Sequence, residues 1–455
     1  MRTVELPTEL AARPLLSLLP RGRATTSWVT TDSDGCDTGL VGWGEAARAE
    51  FGGPERFSRA QRWWASWLAD AEVLDDIALP GSGAVAFASF AFDPTPGASV
   101  MVVPQTVIGR RDGVTWLTVV ASSSREARHA VAEAIASMRH PVAVPEPPRA
   151  VAYAEGSLTV PAWQSAVTEA VRRIDDGQLD KVVLARDVVV TTSDPVDARW
   201  ILGRLAARYP SCWTFSVDGL LGATPEMLVR RIGDVVTSRV LAGTMRRSSD
   251  RASDASLASA LLDSAKDHAE HEYAVQSVAL ALAAHCTDLD VPPTPRLLRL
   301  ANVQHLATDV SGVLADGSSV LALAASLHPT AAVCGTPTER ALAVIRELEG
   351  MDRGRYAGPV GWVDARGDGE LGIALRCAAV EDGAAPPATS ATGAPDGSGA
   401  ANPSAGATWT GAAPARGGRL RLYAGCGLVA GSDADAELAE SQAKLVAMRD
   451  ALESD

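Results

Sequence analysis

At 455 residues and 47% hydrophobic, the chain can bury a large core, as one very large domain or as two to three ordinary ones. A formal charge of −14 excludes a broad nucleic-acid surface, which needs a basic patch, and requires that any anionic ligand be met by local cations or a metal. Six cysteines (Cys36, Cys212, Cys286, Cys334, Cys377, Cys426) stand far apart with no CxxC pair, as expected of reduced thiols in a cytoplasmic protein and not of a disulfide frame or zinc site.

The first residues, MRTVELPTELAARPLLSLLP, carry acidic side chains and no long apolar run, so they make a poor secretory leader, and no later run is long enough to span a membrane. Residues 1–150 form a less informative half. AQRWWASWLADAEVL has helical spacing with Trp63, Trp64 and Trp67 as core, GAVAFASFAF and GVTWLTVV predict strands, and a helix is predicted over 124–138. The proline-rich HPVAVPEPPRA then marks a linker or a wall crossing between two halves.

From 151 onward the pattern sharpens. PAWQSAVTEAVRRIDDG places Trp163, Ala166, Val167, Ala170, Val171 and Ile174 on one helical stripe. DKVVLARDVVV predicts a buried strand, with Lys181, Val183 and Ala185 on one face and Val182, Leu184 and Arg186 on the other. Turns at Asp218-Gly219 and Gly233-Asp234 predict antiparallel hairpins. Leu257 to His285 shows one long helical pattern, with Asp267 and Glu270 on a common flank. Pro329, Gly335 and Pro337 in LHPTAAVCGTPTERAL predict a constrained loop or a helix start capped by Thr336 or Thr338. WVDARGDGELGIALRCAAV predicts a hairpin about ARGDG. Residues 384–418 are Ala, Gly, Pro, Ser and Thr with few other apolar side chains, and predict an inserted disordered loop. RLRLYAGCGLVAG resumes as strand, and Asp433 caps a final helix on which Glu437, Glu440 and Lys444 share one face.

Several of these groups admit two readings. The acids Asp267, Glu270, Glu437 and Glu440 are either a solvated helix charge or, if they face one another, an all-oxygen site for magnesium. His268 and His271 invite zinc, but HAEH lacks the spacing of HExxH and no cysteine adjoins it. Lys181 is a strand-edge solvent contact or a buried base, and Glu226 a turn carboxylate or an acid kept protonated by burial.

The blocks DKVVLAR, GATPEMLVRR, LAGT, AKDHAEHE, VQHLATDVSG, LHPTAAVCGTPTERAL, DRGRYAGPVGW, GIALRCA, LYAGCGLVAGSD and ELAESQAKL, in this order between Tyr153 and Arg449, resemble the chorismate-utilising enzymes. The resemblance implies the large α/β (α+β) fold of that family, with stacked, largely antiparallel sheets flanked by helices. Residues 1–150 would be its N-terminal half and 151–455 the chorismate-binding catalytic region. It implies a Mg2+-dependent, reversible conversion of chorismate to isochorismate, with Lys181 activating water and Glu226 protonating the departing hydroxyl. Glu270 and Glu440 fall on metal ligands, with Asp267 and Glu437 supporting them through water. Lys444 would face the ring carboxylate, Arg376 and Tyr356 the enolpyruvyl one. Thr244, His305, Ala332, Gly425 and Gly427 would line the substrate pocket.

Lys181 stands where relatives that make anthranilate have glutamine, and Ala242 where aminodeoxychorismate synthases have lysine. Amination is therefore not expected, nor is a glutamine amidotransferase subunit. HPTxAVCGTPT resembles the isochorismate-synthase form, whereas salicylate synthases place threonine at Ala332, and Ala331 departs from the usual proline. DRGRYAGPVGW leans toward the menaquinone branch over the siderophore branch. Salicylate synthase, which eliminates pyruvate from the same intermediate, and a non-catalytic chorismate-binding protein remain the alternatives.

Overall fold

The computed structural model describes all residues except 23, 33, 141, 382–416 and 454–455; the insertion expected at 384–418 thus lies almost wholly outside the described residues. Two large, almost entirely antiparallel sheets, of 13 and 10 strands among the described residues, face each other and carry helices on their outer sides. The stacked α/β architecture expected from the sequence is the one observed. Trp28 and Phe215 of the larger sheet and Phe87 and Trp362 of the smaller belong to one buried cluster. Trp28 reaches across the gap to donate its indole N–H to Glu370 at 2.8 Å.

Both sheets mix strands from the two ends of the chain. In the larger, Thr25–Thr31 pairs with Trp213–Val217; in the smaller, Val85–Ser89 pairs with Pro359–Asp364. The proline-rich stretch between the halves has no regular secondary structure.

The strand predicted at DKVVLAR runs Lys181–Thr191 inside the larger sheet. It pairs antiparallel with Arg419–Leu428 along its length, and Lys181 and Val182 also pair with Thr336 and Gly335. Lys181 therefore does not occupy an open edge, and its side chain is fully buried. Asp218 and Gly219 both adopt positive φ, 49° and 79°, the combination a two-residue hairpin turn requires.

Two local expectations are corrected. The helical pattern from 257 to 285 is broken at Asp263-Ser264 into Arg251–Leu262 and Ala265–Ala283. Ser264 caps the second helix, its hydroxyl accepting the Asp267 N–H, and a local hydrogen bond of this kind competes with continuing the first helix. The helix Thr338–Leu348 begins at Pro337, with no side-chain cap from Thr336 or Thr338; Pro337 itself supplies a pre-set φ of −65°.

Candidate active site

The chain passes from one sheet to the other at two places that matter. Thr224-Pro225-Glu226 links Leu220–Thr224 of the larger sheet to Met227–Ile232 of the smaller, and Ala374 to Arg376 links Gly369–Ile373 of the smaller to Cys377–Glu381 of the larger. Residues of both crossings meet in one cavity between the sheets. Its walls include Glu226, Thr244, Glu270, His305, Ala332, Tyr356, Arg376, Gly425, Gly427 and Lys444. Lys181 lies one carboxylate behind the wall, its ammonium 3.2 Å from Glu270 Oε1 and 3.4 Å from the Glu270 carbonyl oxygen.

Glu226 is 5% exposed, and burial pushes its carboxyl up to about 8 against the pull of Lys181, Lys444 and Arg376. It is thus a protonated acid at neutral pH. His305 bridges two neighbours: Arg376 Nη2 donates to its Nε2 at 3.0 Å, and its Nδ1 lies 3.0 Å from Thr244 Oγ1. A guanidinium can only donate, so Nε2 accepts and the ring proton sits on Nδ1, facing Thr244. Burial and the Arg376 and Lys444 charges hold His305 neutral. A bulge at Gly243 (φ +73°) shifts the register of Val235–Arg246 so that Thr244 comes opposite His305. Arg376 holds a left-handed backbone (φ 47°), an unfavourable conformation for a side-chain-bearing residue that aims its guanidinium inward.

The two glycines of YAGCG act by leaving room. A side chain at Gly427 would collide with the Glu270 carboxylate, and one at Gly425 would crowd the Tyr356 hydroxyl at 3.1 Å. Tyr356 itself stacks on Tyr423, with ring centroids 4.9 Å apart.

The acids of the two helices converge, and each of three is matched by a lysine: Glu270 by Lys181, Glu437 by Lys266 at 2.9 Å, and Glu440 by Lys444 at 2.6 Å. Carboxylate oxygens of Glu437 and Glu440 and the Cys426 thiol lie within 4.8 Å of one another. Burial and then the charge on Glu440 push Glu437 up to about 7, while burial, with Glu270 and Glu440, raises Asp267. Glu270 and Asp267 do not join that group, and three lysines already offset much of the negative charge; the carboxylate oxygens are nevertheless of the kind a hard divalent cation takes. The histidines do not join it. His271 is buried against Thr308 Oγ1 at 2.8 Å and burial lowers it to about 4, whereas His268 bonds the Leu262 carbonyl.

Sequence reasoning missed the clamp beside the pocket. Arg353 lines the cavity, donating to the Val333 and Val183 carbonyls at 2.8 Å each and pairing with buried Glu349, which accepts the Ala185 N–H at 2.8 Å. The clamp ties the 328–337 loop to the Lys181 strand. Its signal was present: Glu349 and Arg353 are four apart at a helix end, a spacing indistinguishable from a solvent pair without burial.

The cavity is small, about 60 Å3. A larger hollow of about 720 Å3, near Arg13, Arg110 and Tyr209, is lined by other segments and contains none of these groups. Among the described residues no helix is long and apolar enough to cross a membrane.

The chain is 34% identical over 434 residues to the salicylate biosynthesis isochorismate synthase of Pseudomonas aeruginosa, covering 90% of this chain and 82% of that one. It is 31% identical over 387 residues to the isochorismate synthase MenF of Bacillus subtilis, covering 81% and 75%. The solved structure of MenF, the menaquinone-specific isochorismate synthase of Escherichia coli, superposes with a TM-score of 0.74 at 25% identity, over 99% of this chain and 94% of that one. Residues 7–386 and 412–453 match the family described as chorismate binding enzyme, and the chain belongs to that family.

Proposed function

We propose that the protein is an isochorismate synthase, interconverting chorismate and isochorismate by adding water at C2 and releasing the C4 hydroxyl. The observation that carries this reading is a buried Glu226 on the cavity wall, where burial favours the protonated carboxyl, with the fully buried Lys181 amine set behind Glu270. In its free-amine form Lys181 takes the proton of the entering water as the water oxygen bonds to C2; the double bonds shift, and the C4–O bond breaks as Glu226 gives its proton to the departing oxygen, leaving Lys181 as ammonium and Glu226 as carboxylate. One water enters and one leaves, so no redox partner is needed. Arg376, held flat by His305, is the fork for the enolpyruvyl carboxylate, with Tyr356 beside it. Lys444, whose ammonium Glu440 keeps charged against the opposing effect of burial, faces the ring carboxylate. Glu270 and Glu440, supported by Asp267 and Glu437, would hold Mg2+, which when bound supplies positive charge to a dianionic substrate.

The relatives named for salicylate biosynthesis and for menaquinone favour the same reaction without choosing a pathway. Incubation with chorismate, with and without magnesium, tests the proposal. Isochorismate as sole product is expected. Salicylate with pyruvate would select a salicylate synthase, and no turnover under any metal condition would select a binding protein.

A further inference from the structure

Lysine occurs only three times in the chain, at 181, 266 and 444; every other basic side chain among its 41 Lys and Arg is arginine. Each of the three pairs with a different acid of the helices Ala265–Ala283 and Ala434–Leu452. Lys181 and Lys444 are enclosed, and each also donates to a backbone carbonyl, of Glu270 at 3.4 Å and of Gly425 at 2.8 Å. Both have a place in the proposed reaction. Lys266 has none, and its setting differs. Its side chain is 40% exposed, and its ammonium reaches from one helix to the other to donate to Glu437 Oε1 at 2.9 Å. The Glu437 side chain is 4% exposed, and its carboxylate lies in the same group as those of Glu440 and the Cys426 thiol.

A buried carboxylate beside a second one needs positive charge close by. An ammonium suits a temporary partner: it is a strongly hydrated point charge on a flexible stem, whereas an arginine fork would hold both oxygens. A divalent cation arriving at Glu437 and Glu440 would meet the repulsion of an ammonium already on Glu437. We propose that Lys266 is a displaceable counter-ion, which neutralises Glu437 until a divalent cation binds and then releases that carboxylate, its ammonium turning out to water. The inference rests on the reading of Glu437 as part of the Mg2+ site. It makes Lys266 a competitor that sets cation affinity without touching substrate. Lys181 and Lys444, enclosed and doubly held, stay in place.

The test is Mg2+ binding to the full chain without chorismate, by isothermal titration at constant ionic strength. Lys266→Met, which keeps the stem and removes the charge, should bind Mg2+ about fivefold or more tighter than the native chain, while its Tm without Mg2+ falls. Lys266→Arg should bind Mg2+ more weakly than the native chain. A second measurement needs no variant: Mg2+ should speed acetylation of Lys266 by a water-soluble acylating reagent, read by peptide mass spectrometry, and sodium chloride of equal ionic strength should not. Lys181 and Lys444 should stay protected throughout. Binding by Lys266→Met no tighter than native would overturn the proposal, since Lys266 would then only join two helices or support the site. So would an acetylation rate that Mg2+ leaves unchanged. Chorismate is absent from both measurements, so a chain that shows both effects but makes no isochorismate would refute the proposed reaction and not the displacement.

Discussion

Burial at Glu226 makes two separable predictions. In the reaction, Glu226→Gln and Lys181→Ala should each lower kcat by about 100-fold or more while far-UV circular dichroism stays native, and kcat/KM of the native enzyme should fall as pH rises past about 8. In stability, the folded carboxyl keeps its proton to about 8 while the unfolded one loses it near 4.5, so between these values only the folded state holds the proton. Stability from this group therefore declines as pH climbs through that window and is level above it. Glu226→Gln has no such slope, so its stability relative to the native chain should improve by roughly 2 kcal/mol or more between pH 5 and 8.5, read by urea denaturation. Parallel pH profiles of the two proteins would reject a neutral Glu226. From the sequence, Glu226 and Lys181 each stayed open between two readings, because period and spacing report a face and not whether that face is wet.

Among the elements, the loop and strand that flank the pocket are joined by a buried ion pair, and its removal should be strongly asymmetric. Arg353→Met leaves Glu349 enclosed without its cation and should cost about 3–5 kcal/mol, whereas Arg353→Met combined with Glu349→Gln should recover much of that loss. Double-mutant denaturation measures the coupling, and additive losses would show that the pair is not coupled. Strands and helices rich in β-branched or striped residues, such as Lys181–Thr191 and Val160–Asp175, were legible because their own side chains carry the period. The break at Ser264 was not, since Leu261 and Leu262 continue the pattern and only the cap interrupts it. Nor was the Gly243 bulge, where an added Cβ would come within 3.0 Å of the Asp267 side chain on a different element.

At the scale of the molecule, residues 1–150 and 151–455 contribute strands to both sheets. Separately expressed, each piece would expose the edges along Thr25–Thr31 and Trp213–Val217 and along Val85–Ser89 and Pro359–Asp364. Each fragment alone should therefore fail to give a cooperative melt, and a fragment that melts cooperatively would contradict this. The family blocks pointed to the later region as the one carrying the candidate site. They could not show that its sheets are completed from the other end, because pairing between distant strands leaves no local mark.

The two inter-sheet crossings place Glu226 and Arg376 at the boundary between layers, while Gly425 and Gly427 stay with one layer and Thr244 and His305 with the other. The span across the pocket from Gly425 and Gly427 to Thr244 and His305 thus follows the thickness of the interleaf, which Trp28, Phe215 and Phe87 help to fill. Thinning that filling, far from any substrate atom, alters the span a substrate must fit, and so KM becomes a gauge of packing as well as of contact.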